Sequence, residues 1–117
     1  MYRLGRLIEV SLLALLKEKD AYGYKLMDKL IYYNLIEEDT NIGIIYRALR
    51  NLEKKELVKS YWEESNQGPK KRIYSITTKG LEVLKERLDL LKYRRSRIDT
   101  IIDLCSDLDN KGGKYAK

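Results

Sequence analysis

Apolar side chains recur three and four residues apart from the start of the chain, at Leu4, Leu7, Ile8, Leu12, Leu15 and Leu16. The spacing predicts a first helix over 3–18 whose apolar surface is wider than one stripe and is therefore covered on more than one side. A second helix is predicted over AYGYKLMDKLIYY, with Asp20 as its N-cap and Leu26, Met27, Leu30 and Tyr33 at helical spacing. Gly23 within it weakens the helix by about 1 kcal/mol relative to Ala, so it marks a close approach of backbone to a neighbour. After the polar, acidic stretch 34–40, Thr40 or Asn41 caps a third helix in NIGIIYRALRNLEKKEL. That run puts Ile42, Ile45, Ala48, Leu49 and Leu52 on one face and Arg47, Arg50 and Lys54 on the opposite one. One face packs, and the other is free to meet phosphate.

The period then changes. LVKSYWEE and RIYSIT are rich in β-branched and aromatic residues and read as two strands. Between them lies a polar tip of Ser65, Asn66, Gln67, Gly68, Pro69, Lys70, Lys71 and Arg72, with Gly68-Pro69 as its turn signal. A basic helix followed by a basic hairpin is the pair of parts that a winged helix-turn-helix brings to DNA. Each alone reads more readily as a solvated surface; it is their adjacency that reverses the expectation.

Thr77 or Thr78 caps a long fourth helix, with Gly80 in its first turn, running to about Asp107. Leu84, Leu88, Leu91, Ile98, Ile102 and Cys105 alternate spacings of four and three once Arg95 fills the skipped position, the pattern of a coiled-coil seam. A helix of about thirty residues is roughly 45 Å long, more than so small a domain covers, so the seam calls for a second chain, most simply a two-fold partner. Packing of the seam within one chain is the alternative. Arg95, among Arg94, Ser96 and Arg97, interrupts the seam. Either the helices splay and Arg95 reaches solvent or Asp99, or it lines a polar pocket at the dimer interface that takes a ligand.

The expected architecture is mostly α (α+β): a winged helix-turn-helix over 1–78 with a two-stranded β-wing, a C-terminal dimerisation helix over 79–108, and an unstructured basic tail over 109–117. At 117 residues the chain has material for one domain, so any sensing function shares it or a dimer interface. Lys and Arg number 24 against 18 Asp and Glu, a formal charge of +6 that fits a polyanionic partner. No apolar run approaches the ~20 residues of a membrane span. The most apolar stretch, 7–16, is broken by Glu9 and Ser11 and is not followed by a small-residue cleavage site, so it reads as a buried helix rather than a signal peptide. Cys105 is the only cysteine, which rules out an intrachain disulfide and suits a cytoplasmic protein.

The chain has no histidine, no cysteine pair, no glycine-rich phosphate loop and no Gly-x-Ser-x-Gly. It thus lacks the commonest general base and zinc ligand, and no enzyme, metal site or cofactor is expected. Glu37, Glu38 and Asp39 cluster just before the third helix, where they favour its positive end rather than a cation.

Four segments resemble the PadR-type transcriptional regulators, in the small class with one C-terminal dimerisation helix: LLALLKEKDAYGYKLMDKL, GIIYRALRNLEKKELV, GPKKRIYSIT and TKGLEVLKE. The resemblance implies a homodimeric winged-helix repressor that binds a pseudo-palindromic operator on double-stranded DNA and is released by a small-molecule effector. By its motifs Tyr22, Tyr24 and Tyr46 are phosphate or packing residues, and Lys70 and Lys71 are groove or backbone contacts. Ile44 stands where such proteins commonly carry Thr or Ser, so base readout rests on Asn41, Arg47, Arg50 and Asn51. Arg47 and Arg50 can pair bidentately with guanine and Asn51 with adenine, while Tyr46, Lys54, Lys70, Lys71 and Arg72 can hold phosphates. Glu56 replaces the usual glycine after the third helix, which weakens the expected left-handed cap. The one tryptophan, Trp62, lies on the first wing strand, so drug binding between tryptophans of the last helix does not carry over. A winged-helix protein-interaction module without operator binding is the second reading.

Overall fold

The breadth of the first apolar surface has a direct structural counterpart. In the computed structural model, which describes residues 4–110 with side chains from 7 to 106, the first helix α1 (Leu4–Glu18) buries Ile8, Val10, Leu12, Leu13, Leu15 and Leu16. These face several directions of the helix, and α1 meets both the following helices and the sheet. Glu9 and Ser11 are buried with them. Ser11 Oγ donates to the Leu7 carbonyl at 2.7 Å, and the Glu9 carboxylate lies 3.7 Å from Lys55 Nζ, so neither polar group is stranded in the core.

The chain continues through β1 (Ala21–Tyr22), α2 (Gly23–Tyr32), α3 (Ile42–Lys54), β2 (Val58–Glu63), β3 (Lys71–Ile76) and α4 (Thr78–Asn110). The strands form one antiparallel sheet in the order β1-β3-β2. The wing hairpin pairs Val58 with Ile76 through Glu63 with Lys71, and β1 pairs Ala21 with Tyr74 and Tyr22 with Ile73. The sheet is thus three-stranded where two strands were expected.

That third strand also moves the start of the second helix. Ala21 and Tyr22 are extended, and the N-cap position is Tyr22, at φ −90° and ψ 164°, with no side-chain cap. Asp20 is not the cap: its carboxylate accepts from Tyr61 Oη at 3.0 Å, tying the loop to the wing. Gly23 becomes the first residue of α2, and the close approach is real, since a Cβ there would lie 2.6 Å from Tyr46 Cε1. Leu26 and Leu30 are buried, whereas Tyr33 is exposed.

Helix α3 starts where its sequence says. Asn41 is the N-cap, its side-chain oxygen accepting the Gly43 N–H at 2.7 Å. Ile45, Ala48, Leu49 and Leu52 form its buried stripe. Its end departs from expectation. Glu56 adopts the left-handed conformation, φ 62°, despite its side chain. The Leu57 N–H donates to the Leu52 carbonyl at 2.9 Å and the Glu56 N–H to Glu53 at 3.0 Å, the full double-bonded C-terminal motif that glycine ordinarily serves. Asn34, φ 58°, closes α2 in the same way.

Thr77 caps α4. Its hydroxyl accepts the Gly80 N–H at 3.0 Å and donates to the Glu56 carbonyl at 2.7 Å. Gly80 is buried against the preceding junction, where an added Cβ would collide with the Leu57 carbonyl oxygen and lie 2.7 Å from Ile76 Cγ1. The chain divides into two compact units, one ending at Lys85 and one beginning at Glu86. The division falls inside α4 rather than at its start because Gly80 and Leu84 are buried. The helix continues to Asn110, past the expected end near Asp107, and the rest of the expected tail lies outside the described residues. Among the described residues no helix is long and apolar enough to cross a membrane.

Two substitutions test this junction in opposite directions. Glu56→Gly relieves a left-handed non-glycine residue, worth about 1–2 kcal/mol, against a chain-entropy cost of about 0.5–1 kcal/mol, so a net stabilisation of about 0.5–1 kcal/mol is expected. Gly80→Ala overpacks the Leu57 backbone and should destabilise by about 1–3 kcal/mol. Urea denaturation followed by circular dichroism reads both.

Candidate nucleic-acid interface

A helix held by a buried apolar stripe presents its opposite face rigidly, and on α3 that face carries cations. Arg47, Arg50, Asn51 and Lys54 are all exposed. Neither Arg47 nor Arg50 ion-pairs with any described residue. Asn41, Gly43, Ile44, Tyr46, Arg47 and Arg50 border an open depression of about 610 Å³ along the outer side of the helix. The side-chain oxygen of Asn41 is committed to its cap, which leaves its amide NH₂ as the group turned outward. Ile44, 43% exposed, presents an apolar surface in place of a hydroxyl.

The three tyrosines singled out by motif lie around Gly23. Tyr46 is half-buried over that glycine, and Tyr24 meets it edge-on with ring centroids 6.4 Å apart. Burial raises the Tyr46 pKa, with Tyr24 adding to the effect, so the phenol stays a neutral hydrogen-bond donor. Tyr22 packs under the wing, with Lys71 Nζ 4.3 Å from its ring centroid.

The wing cations differ in ways the sequence does not reveal. Arg72 is engaged internally: a guanidinium nitrogen lies 3.0 Å from Glu53 Oε1, and Nε donates to Ser60 Oγ at 3.0 Å. Ser60 Oγ in turn donates to Glu53 Oε2 at 2.7 Å. This network joins α3 to both wing strands, so Arg72 sets the hairpin against the helix. Lys70 makes an exposed pair with Glu64 at 3.4 Å, the kind of contact that solvent screens to little net energy. Lys71 rests on an aromatic face and keeps its charge outward.

Between α3 and the wing runs a groove of about 440 Å³, with Arg50, Lys70 and Lys71 among its cations and Tyr24, Tyr46 and Trp62 among its walls. Trp62 and Tyr74 also line this surface, beyond the residues expected from the sequence. Their signal was the strand alternation Ser60, Trp62 opposite Tyr74, Arg72, which becomes readable only once the register is known. Burial raises the Tyr74 pKa, partly opposed by the Arg72 charge.

On α4 the expected seam residues differ in burial. Leu84 is 2% exposed and belongs to the core rather than to an open seam. Leu91 is half-buried, and Leu88, Ile98, Ile102 and Cys105 are exposed in the single chain. Leu90, Ile101 and Leu104 are exposed as well and widen the apolar band. Arg95 is exposed, while Arg97 nearby stacks on Tyr93 and donates to its hydroxyl at 2.7 Å. Among the described residues no group of three or more side chains could hold a metal, and Glu37, Glu38 and Asp39 are all exposed.

Residues 12–86, from the first helix through the wing into the long helix, match the transcriptional regulator PadR-like family. The chain is 30% identical to uncharacterized protein X of Lysinibacillus sphaericus over 97 residues, covering 83% of this chain and 85% of that one. The fold is shared with a PadR-like transcriptional regulator of Bacillus cereus, at 28% identity and a TM-score of 0.74, over 85% of this chain and 94% of that one. It is shared also with a conserved protein described as a potential transcriptional factor, at 28% identity and a TM-score of 0.79, over 94% and 96% of the two chains. A family pattern spanning well over half the chain, on a fold common to solved regulators and with a cationic helix face beside a basic wing, identifies a DNA-binding transcriptional regulator: the chain belongs to the PadR-like family.

Proposed function

We propose that this regulator is a homodimeric repressor that reads a pseudo-palindromic operator with α3 and grips the flanking backbone with its wing. The observation that carries the reading is the pair Arg47 and Arg50, exposed on a helix fixed by its buried stripe and free of ion pairs with the described residues. A guanidinium without an internal partner retains its planar fork for a base edge or a phosphate. In this reading Asn41 and Asn51 contribute amide donors, and Tyr46, Lys54, Lys70 and Lys71 hold phosphates. Tyr22 and Tyr24 support Lys71 and Tyr46 from behind.

The homodimer rests on α4. Leu88, Ile98, Ile101, Ile102 and Leu104, between 36% and 61% exposed, make an apolar band, broken only at Arg95, that water alone would cover. A two-fold pairing of such bands supplies two copies of α3, as the two halves of a palindromic site require. Arg95 interrupts the band, and with its dimer mate it makes the polar break at which an anionic or hydrogen-bonding effector would bind.

Selection of bound duplexes from a random pool is the direct test, since enrichment of paired half-sites reports readout and dimer geometry together. Arg47→Ala or Arg50→Ala should relax base preference at one position and cost about 1–3 kcal/mol. Lys70→Ala and Lys71→Ala should weaken all sequences alike and flatten the salt dependence. No salt-dependent duplex binding would favour a protein-interaction module instead.

Leu91→Glu with Ile98→Glu should yield monomers or insoluble protein, and a wild type that sediments as a monomer at micromolar concentration would refute the dimer. Arg95→Leu completes the band; the dimer should tighten and any effector response should vanish, as sedimentation and duplex binding with and without effector would show.

A further inference from the structure

Trp62 is the only tryptophan of the chain and stands 63% exposed near the end of β2. Alternation along the strand gives its side chain the same face as Val58 and Ser60, and the register sets Arg72 opposite it. That face is turned toward α3, because Ser60 and Arg72 both reach Glu53 of the helix, at 2.7 and 3.0 Å. The indole therefore leaves the sheet next to a strand level that is hydrogen-bonded to the recognition helix, and little further ordering is needed to use it. It shares the groove between helix and wing with Arg50, Tyr46, Pro69 and Lys70.

Cations on this groove account for attraction to phosphate, but they give no reason for a large exposed aromatic surface beside them. In a duplex, the apolar surface lying between successive phosphates is the C–H face of the deoxyribose rings. A flat indole in line with phosphate-binding side chains is complementary to it.

We propose that Trp62 is a DNA contact, its indole packing on the sugar wall of the groove beside the recognition helix and adding an apolar, salt-insensitive component to binding. The proposal rests on the operator-binding reading above. Counterion release makes the lysine contacts fade as salt rises, whereas apolar contact does not. Binding should thus persist at salt concentrations where charge alone would release the duplex.

The single tryptophan makes the test direct. Full-length protein is titrated with a dye-labelled mixed-sequence duplex across a salt series, with duplex anisotropy and tryptophan emission read together. Wild-type emission should shift on binding and become shielded from acrylamide. Trp62→Ala should bind about tenfold more weakly with an unchanged salt slope, and Trp62→Phe should recover most of the loss. Lys71→Ala should instead lower the slope by about 1.

Wild-type affinity in Trp62→Ala overturns the contact, as does a bound duplex that leaves the indole emission and its quenching unaltered. A weaker Trp62→Ala with a flattened slope assigns the loss to displaced lysines and also overturns it. If the wild type binds no duplex even at low salt, the operator-binding reading fails and this proposal with it.

Discussion

The backbone of Leu57 is the point on which the arrangement of α3, the wing and the first turn of α4 depends. Its N–H closes the end of α3 on Leu52 at 2.9 Å, and its carbonyl accepts the Thr77 N–H at 3.0 Å. Its side chain is buried, and Gly80 packs against its carbonyl without room for a methyl group. The end of α3, the start of one wing strand, the exit of the other and the first turn of α4 are therefore fixed by one peptide unit and its neighbours. Thr77 reinforces this by bridging Glu56 and Gly80 with one hydroxyl. Each buried polar group has its partner here, and an unmet one would cost more than a met one contributes.

From that junction outward, charge is distributed by what each cation touches. Arg72 lies on the α3-facing side of the wing and pairs with Glu53, so it orients the hairpin. Lys71 lies on the other side of the strand, where Tyr22 of the short edge strand supports it. Among the described residues Arg47 and Arg50 have neither arrangement and remain open to a partner. The formal charge of +6 is consistent with all of this, but it hides a division between cations that hold the protein together and cations that are available.

How far the sequence discloses this varies with the physics involved. Helix α3 was legible because its period separates Ile45, Ala48, Leu49 and Leu52 from Arg47 and Arg50 over several turns. The wing was legible because β-branched and aromatic residues flank a Gly-Pro turn. Strand β1 was not, since two residues carry no period and the Ala21-Tyr22 pairing comes entirely from the edge of β3. Asp20 looked like a helix cap for the same reason: an acid before a helix is good local chemistry, and only the fold could give it to Tyr61 instead. At Glu56 the sequence argued against a left-handed residue, yet the hydrogen bonds of Leu57 and Thr77 impose one. Arg72 and Trp62 face each other across the hairpin, and no local pattern shows that one is occupied with Glu53 while the other is bare. The family resemblance was carried by residues on both sides of these gaps, which is why it held where local reading did not.

The contact between Gly23 and Tyr46 links two positions that the chain keeps more than twenty residues apart. The ring occupies the space in which any other residue's Cβ at 23 would stand, 2.6 Å from Cε1. The two positions are consequently coupled through one phenol: a side chain at the first is admitted only when the end of the Tyr46 ring swings aside, and the ring keeps its present place only while the first is bare. Because Tyr46 lies on α3, a methyl group added at 23 would be felt not as a collapse of the scaffold but as a new rotamer on the cationic side of that helix, so the posture of an exposed surface is set from behind by an absent side chain.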